Sequence, residues 1–391
     1  MPYLDWNATA PLHPAARRAW LDAADRLWHN PSSLYATATA ARAALDEARE
    51  TLAELIGADP DRIVFTAGAT EANNALARRL ARTLPADGRA AISPLEHPCV
   101  TEPFHAALPG RVVELPVTRH GVVEPDAVAA AGAGVGFVSV MAASNESGGL
   151  QPWEAIAGTC RSRGIPFHTD AAQWLGRLPA GELGRCDWVT GSGHKFGGPK
   201  GTGFLLVPRG AVAFQGDRGG PQEQGRRAGT ENVAGIVAMV AALAAQAAET
   251  DARRAALAAD RDAAEARLLA ALPGTVVVGG GGPRLWNTLA LLPPPGPAAD
   301  DARKTVARLA AAGVEASTGA ACSAGSAAAA RVVVAIGAGR LGVEPGRLGG
   351  MVRLSGGWET TAADWNAAVD ALVAIARGAA ALPAVTLAPR G

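Results

Sequence analysis

An α/β fold, with a large and mainly parallel mixed sheet covered by helices and a smaller α+β unit behind it, follows from three features of the sequence. Short apolar runs alternate with Ala/Arg/Glu/Leu-rich helical stretches over the first half of the chain, which is the signature of strands joined by crossover helices. The alternation then gives way to a long Ala-rich helical stretch over 233–272. Beyond it, a second and smaller set of strand-like runs resumes. With 391 residues, 49% of them hydrophobic and 18% charged, the chain is long enough for two such units and excludes disordered and fibrous classes.

Taken in order, residues 62–66, 90–93, 112–115, 135–141, 165–169, 187–190 and 203–207 read as the strands of the large sheet, each short and rich in β-branched or aromatic residues. Residues 275–278, 288–292, 314–317 and 351–354 read as strands of the smaller unit. The boundary is expected near Ala255, giving a large domain over 14–254 and a small C-terminal domain over 255–391 that also takes in the N-terminal segment 1–13. "LLPPPGPAAD" reads as a turn between a strand and a helix.

Charge and composition then narrow the function. The 36 acidic residues balance the 36 basic ones with no block of one sign, so neither nucleic acid nor an anionic membrane is the expected partner and a small molecule is. "MPYLDWNATAPLHP" lacks a basic segment followed by an apolar one, and the longest uncharged helical stretch, 232–248, is mostly small residues, so a cytoplasmic protein is expected. Cys99, Cys160, Cys186 and Cys322 are too scattered for a disulfide framework, and no CxxC pair suggests a metal.

The lysines are the sharper signal. Only Lys195, Lys200 and Lys304 are lysine among the 36 basic residues, so arginine serves wherever charge alone is needed. A guanidinium cannot form an imine, whereas a lysine amine can attack a carbonyl, which marks Lys195 in "TGSGHKFGGPKGT" for amine chemistry. Asn145, Asp170 and Lys195 each follow an expected strand, and in an open parallel sheet ligands gather beyond the carboxyl ends of the strands.

Other residues extend that group. "IVFTAGATEANNAL" runs from a strand through Thr70 into a helix and reads as a phosphate cradle, although no Walker loop is present and GSGHKF fails the dinucleotide fingerprint. Asp170, expected to open a helix over 171–174, is an N-cap or a buried carboxylate holding a heterocycle nitrogen protonated, the main lever a protein has on pyridoxal phosphate. His97, between a strand and a helix, can stack on a planar cofactor or shuttle protons. Arg353 lies in an apolar strand and needs a carboxylate, from a substrate or from a structural Asp or Glu. Cys322 lies in "ASTGAACSAGSAAAARVVV", a run of small residues that can swing an exposed thiol.

Together these pieces resemble the cysteine desulfurases of the class V aminotransferase family, pyridoxal-phosphate enzymes of fold type I that mobilise sulfur for iron–sulfur clusters. The resemblance runs from Tyr3 to about Trp365 and rests on "YLDWNATAPLHP", "HNPSSLY", "IVFTAGATEANN", "EH", "SNESG", "HTDAAQ", "SGHKFGGPKG", "RRAGTENV", "STGAACSAG" and "VRLS", in the family's order. It implies that Lys195 carries pyridoxal 5'-phosphate as an internal aldimine, that Asp170 pairs with the ring nitrogen, that Gln173 bonds the ring hydroxyl and that His97 stacks over the ring. Thr70 with the backbone at Ala69, Ser192 and His194 would hold the phosphate, and Thr230 would reach the phosphate of the other subunit of a homodimer. Asn145 and Arg353 would bind the carboxylate of L-cysteine.

By the same resemblance Lys195 or His97 moves the alpha proton, Cys322 takes the sulfur as a persulfide, alanine leaves, and a scaffold or carrier protein accepts the sulfur. The sequence departs from the family at Tyr35, where His is frequent, and at Ala38, where Gly is. It departs again at Pro221 and Gln224, and where alanines at 327–330 replace acidic and proline residues. Rival readings are another fold-type-I enzyme such as an aminotransferase or selenocysteine lyase, a non-catalytic dimeric scaffold, and a nucleotide-binding module. Cys322 separates the first from a desulfurase, and Lys195 separates an enzyme from a scaffold.

Overall fold

The computed structural model describes residues 1–132, 134–211, 214–249, 251–296, 301–319 and 329–378. Its large sheet has seven strands: β1 (Ile63–Thr66), β2 (Arg89–Ile92), β3 (Val112–Glu114), β4 (Val135–Ser139), β5 (Phe167–Asp170), β6 (Trp188–Ser192) and β7 (Gly203–Leu206). They lie in the order β1-β7-β6-β5-β4-β2-β3. β2 is parallel to β3 and β4, β4 to β5, and β5 to β6, while β7 runs antiparallel to both β6 and β1. Each of the seven expected runs overlaps one of these strands, β2, β5 and β6 extending one or two residues past theirs, and the sheet is mainly parallel with a reversed strand near one edge.

Parallel neighbours need crossover connections, and helices supply them. The helices are α1 (Pro14–Arg26), α2 (Ala36–Ile56), α3 (Ala69–Thr83), α4 (Pro98–Ala107), α5 (Pro125–Ala130), α6 (Trp153–Ser162) and α7 (Val233–Ala247). Their ends are written locally. α1 and α4 begin with Pro, whose missing N–H is not needed there, and His13 and His97 cap them by accepting from the N–H two residues on. α2 ends at Gly57 with φ of 68°, and a Cβ there would stand 1.8 Å from the Gly181 carbonyl oxygen, so only glycine fits. α7 packs against α1 and α2. No single helix among the described residues is long and apolar enough to cross a membrane.

A second apolar core gathers around a three-stranded antiparallel sheet of β8 (Val276–Val277), β9 (Thr288–Leu292) and β10 (Val352–Ser355). α8 (Asp251–Ala271), α9 (Ala302–Ala311) and α12 (Ala362–Ala376) cover it, while α10 (Arg331–Ile336) and α11 (Ala338–Leu341) precede β10. Leu4 belongs to this core, so the N-terminus is built into it.

Three local expectations differ from the structure. The Ala-rich stretch over 233–272 is two helices, α7 and α8, and Ala255 lies inside the second. The run over 314–317 makes only isolated bridges, Glu315 to Tyr3 and Ser317 to Arg353, because an N-terminal segment takes the backbone partners a longer strand would need. Residues 171–174 form a turn rather than a helix, with Asp170 as the last residue of β5. Asp170 still caps that turn, accepting from the Ala172 N–H at 2.9 Å.

Candidate active site

A cavity of about 650 Å³ opens where β4, β5 and β6 end and α3 begins. The parallel register explains the convergence: β5 and β6 pair Asp170 with Thr190, so groups just beyond those strands emerge side by side. Lys195, His97, Asp170, Gln173, Asn145, Ser192, His194, Ala69 and Thr70 all line the cavity. Two residues of the expected site stand elsewhere, and a third is not among those described. Thr230 is exposed and off the cavity wall, Arg353 is buried behind it, and Cys322 lies outside the described residues.

Lys195 sits in the tight turn Gly193–Lys195 after β6, and its Nζ donates to the backbone carbonyls of Asn7 and Ala8, each at 2.9 Å. Asp170 is buried, and burial raises its pKa against the opposing pull of the Ala172 N–H, the Asn73 amide and Lys195. Gln173 donates from Nε2 to the Asn7 carbonyl at 2.9 Å, while its buried Oε1 finds no partner among the described residues. That orphaned acceptor is a docking point for a hydroxyl or N–H of a bound molecule.

The two cavity histidines are neutral. Burial, then Lys195, pushes His97 down to about 4, and burial, then Lys195 and Lys200, does the same to His194. His97 Nδ1 accepts the Cys99 backbone N–H at 3.1 Å, so the neutral ring carries its hydrogen on Nε2. His194 Nδ1 meets the Thr9 hydroxyl at 3.1 Å.

On the α3 side the chain leaves β1 through Gly68, whose φ of 147° favours glycine; a Cβ there would come within 3.6 Å of Ser192 Oγ. The first-turn N–H groups of an α-helix have no intrahelical partner, and those of α3 begin at this turn beside the Ser192 hydroxyl. Glu71 braces the corner, accepting from the Ala67 N–H at 2.9 Å and pairing with Arg227 at 2.8 Å.

Arg353 takes the structural of its two expected partners. Its Nη2 donates to Asp5 Oδ1 at 2.6 Å and its Nη1 to the Asn145 carbonyl at 2.7 Å. Asn145 thus holds Arg353 through its backbone while standing on the cavity wall.

Sequence reasoning missed several residues that shape the cavity. Asn7 is the foremost: its Nδ2 donates to Thr288 Oγ1 at 3.0 Å, its Oδ1 accepts from Asn287 at 3.1 Å, and its carbonyl receives both Lys195 and Gln173. Its only sequence signal was membership of the quoted "YLDWNATAPLHP". Cys99 lines the cavity beside Asp170, and Asn73, in "GATEANN", donates to both. Glu96 lies fully buried behind them, its pKa pushed well up by burial and then by Asp170, with Oε1 accepting the Met141 N–H at 2.7 Å.

With this geometry in hand, comparison with known proteins decides the family. The family model for class-V aminotransferases matches residues 2–367. The chain belongs to that family. It is 40% identical over 243 residues to the cysteine desulfurase IscS of Dictyoglomus turgidum, spanning 61% of this chain and 61% of that protein. It is 35% identical over 399 residues to an IscS-like cysteine desulfurase of Mycobacterium tuberculosis, covering 97% of this chain and 98% of that one. Among solved structures, a NifS-like protein superposes with a TM-score of 0.84 at 27% identity, over 95% of this chain and 98% of that one. The fold is that of the NifS-like proteins, a mixed seven-stranded sheet covered by helices with a small antiparallel sheet beside it.

Class-V aminotransferases depend on pyridoxal phosphate, and the residues present fit that group. A primary amine, a buried carboxylate, an orphaned amide oxygen and a helix N-terminus beside a serine hydroxyl surround one cavity, which matches an aldehyde, a ring nitrogen, a ring hydroxyl and a phosphate.

Proposed function

We propose that the protein is a pyridoxal 5'-phosphate-dependent cysteine desulfurase that converts L-cysteine to L-alanine and leaves the sulfur on Cys322 as a persulfide. One observation carries the reading: Lys195 and Asp170 emerge from adjacent strand ends into a single cavity whose remaining polar groups suit that cofactor.

When bound, the cofactor supplies an electron-accepting ring joined to the substrate's amine. Asp170 holds the ring nitrogen, Gln173 Oε1 accepts from the ring hydroxyl, and Ser192, His194 and Thr70 with the α3 backbone at Ala69 hold the phosphate. His97 covers the ring. Its Nε2 hydrogen makes it a donor rather than a base in this state, which leaves Lys195 Nζ to take the alpha proton. Low pKa values keep His97 and His194 uncharged, so neither adds positive charge beside Lys195. Cys322 as its thiolate attacks the substrate sulfur: an S–S bond forms, the C–S bond breaks, and its electron pair goes to the carbon, which takes up one proton, matching the one the Cys322 thiol gave up, to become the methyl group of alanine.

Asn145 and Arg353 bind the substrate carboxylate, which requires Arg353 to exchange Asp5 for it. The protein works as a homodimer in which Thr230 of one protomer reaches the phosphate held by its partner, consistent with the exposure of Thr230. A scaffold or carrier protein of iron–sulfur assembly accepts the sulfur. A division into a large and a small domain near Ala255, early in α8, is supported by the core around the small sheet, which takes Leu4 and otherwise only residues from Ala264 onward.

The test is to incubate the purified protein, loaded with pyridoxal 5'-phosphate, with L-cysteine and a reductant. Alanine and sulfide should appear in equal amounts, and mass spectrometry should find the extra sulfur on Cys322. Cys322→Ala should keep the visible absorption of the bound cofactor and lose sulfide release; undiminished desulfuration by that variant would sink the assignment.

A further inference from the structure

At the cavity wall, Cys99 and Asn73 close on Asp170 in a cluster of which the proposed chemistry uses only Asp170. Cys99 follows the cap of α4, and Asn73 sits one turn into α3, so two helices deliver polar groups to the end of β5. Asn73 Nδ2 donates to Cys99 Sγ at 3.3 Å and to Asp170 Oδ2 at 3.3 Å. Cys99 Sγ in turn donates to the same Oδ2 at 3.9 Å, a long contact for a thiol. The other oxygen, Oδ1, receives the Ala172 N–H. Asn73 is wholly buried, and Cys99 also lines the cavity.

A carboxylate offers roughly four lone-pair positions, two on each oxygen. Asn73 and Cys99 take both positions on Oδ2, and Ala172 takes one on Oδ1. The position left open is on Oδ1.

We propose that Cys99 is a positioning residue: together with Asn73 it occupies Oδ2, fixes the carboxylate plane of Asp170, and directs a bound heterocycle nitrogen to Oδ1. This rests on the reading of Asp170 as the partner of the cofactor's ring nitrogen. Burial and the neighbouring Asp170 raise the Cys99 pKa, so the group stays a thiol, keeps the hydrogen it donates, and does not compete with Cys322 for sulfur. The aldehyde chemistry happens elsewhere in the cavity; Cys99 acts only through Asp170.

The experiment is a double-mutant cycle read by the dissociation constant of pyridoxal 5'-phosphate, measured on apoprotein by equilibrium titration, with circular dichroism to check folding. Cys99→Ala should weaken cofactor binding about three- to tenfold, the range expected for one hydrogen bond to a charged acceptor that is long. Cys99→Ser restores a donor and should stay within about twofold of the wild type, whereas a mere filler role predicts that Ser and Ala weaken binding alike. In an Asp170→Asn background Cys99→Ala should change the constant less than about twofold, since coupled groups are not additive. An unchanged constant for Cys99→Ala, or an equal loss in both backgrounds, overturns the inference while leaving the enzyme reading intact. Failure of the wild type to bind pyridoxal 5'-phosphate overturns both.

Discussion

Asp170 and Lys195 reach the cavity from β5 and β6, neighbours in a regular parallel register, whereas Ala8 reaches it, with Asn7 buried beside it, from a turn that follows two isolated bridges. The two regions meet at one atom, Lys195 Nζ, which the strand end delivers and the N-terminal turn receives. Their means of support differ. The strand end is held by ladder bonds shared along a sheet buried on both faces, and loses little if one side chain changes. The N-terminal turn has a few scattered backbone bonds, at Trp6, Ala8 and Ala10, and relies for the rest on side chains: Asn7, Asp5 and Ser355 carry bonds that no ladder duplicates. Substitutions at the strand ends should therefore remove chemistry with little loss of fold, and those in the turn should loosen the fold first.

Lys195→Ala should break the comparison most visibly if it is wrong. Removing the amine that takes the alpha proton should cost about 10³-fold or more in sulfide production from L-cysteine. The denaturant midpoint should hardly move, because the side chain's two bonds go to carbonyls that water can serve. A large drop in stability with residual catalysis would invert the assignment of the two regions.

Asn7→Ala should do the reverse. It strips partners from Thr288 and Asn287, and from Arg177, whose Nη2 lies 3.4 Å from Asn7 Oδ1 and whose pKa burial lowers to about 9. Leaving such buried groups unsatisfied should cost roughly 2–3 kcal/mol of stability, measured by urea unfolding. Activity per folded molecule should fall much less than in Lys195→Ala, since the Asn7 carbonyl remains.

This division also explains what was legible in the sequence. Strand-end residues announce themselves: a short apolar run, then a polar residue at a place where ligands collect, as with Asp170 and Lys195. The seven runs of the large sheet could be read for the same reason, because each is a local pattern. Asn7 could not be read that way, since its partners lie up to 348 residues away and nothing local marks it as a hub. The run over 314–317 failed for a related cause, its backbone partners being Tyr3 at the far end of the chain and Arg353. Cys99 was counted as one of four scattered cysteines, and only the packing of α3 against α4 brings it to Asp170.

His168, in the middle of β5, sharpens the strand side of the comparison. Burial alone pushes its pKa down to about 3, and its ring lies between Ser139 Oγ at 2.8 Å and Thr190 Oγ1 at 3.3 Å. Below its ordinary value near 6.5 the unfolded chain takes a proton that the folded chain refuses. Stability from this residue is therefore complete above pH 6.5 and is lost as pH falls towards 3, at about 1.4 kcal/mol per pH unit. Glu96, Asp170 and Glu146, with pKa values raised by burial, act in the opposite sense, but they cancel when wild type and His168→Gln are compared. Between pH 6.5 and 4.5 the wild type should lose roughly 2–3 kcal/mol more than the variant. Parallel pH dependences of the two urea midpoints would show that the ring is not held neutral.

Asp5→Asn gives the smallest effect and the finest test, because it acts where the N-terminal segment touches the substrate side. Asp5 Oδ1 accepts from Arg353 Nη2 at 2.6 Å, and the guanidinium is almost wholly buried, so the pair is a desolvated contact of the fold itself. The amide retains an acceptor at the same place but removes the charge. The expected loss of stability is roughly 1–2 kcal/mol, below that of Asn7→Ala, since one hydrogen bond survives. If Arg353 exchanges Asp5 for the carboxylate of L-cysteine, weakening its resident partner should lower KM severalfold with kcat little changed, because the exchange precedes the chemistry. If Arg353 is instead a purely structural cation, held by Asp5 and the Asn145 carbonyl, KM should stay constant while stability falls. The sign of the change in KM thus decides whether the N-terminal segment merely braces the site or competes with the substrate for it.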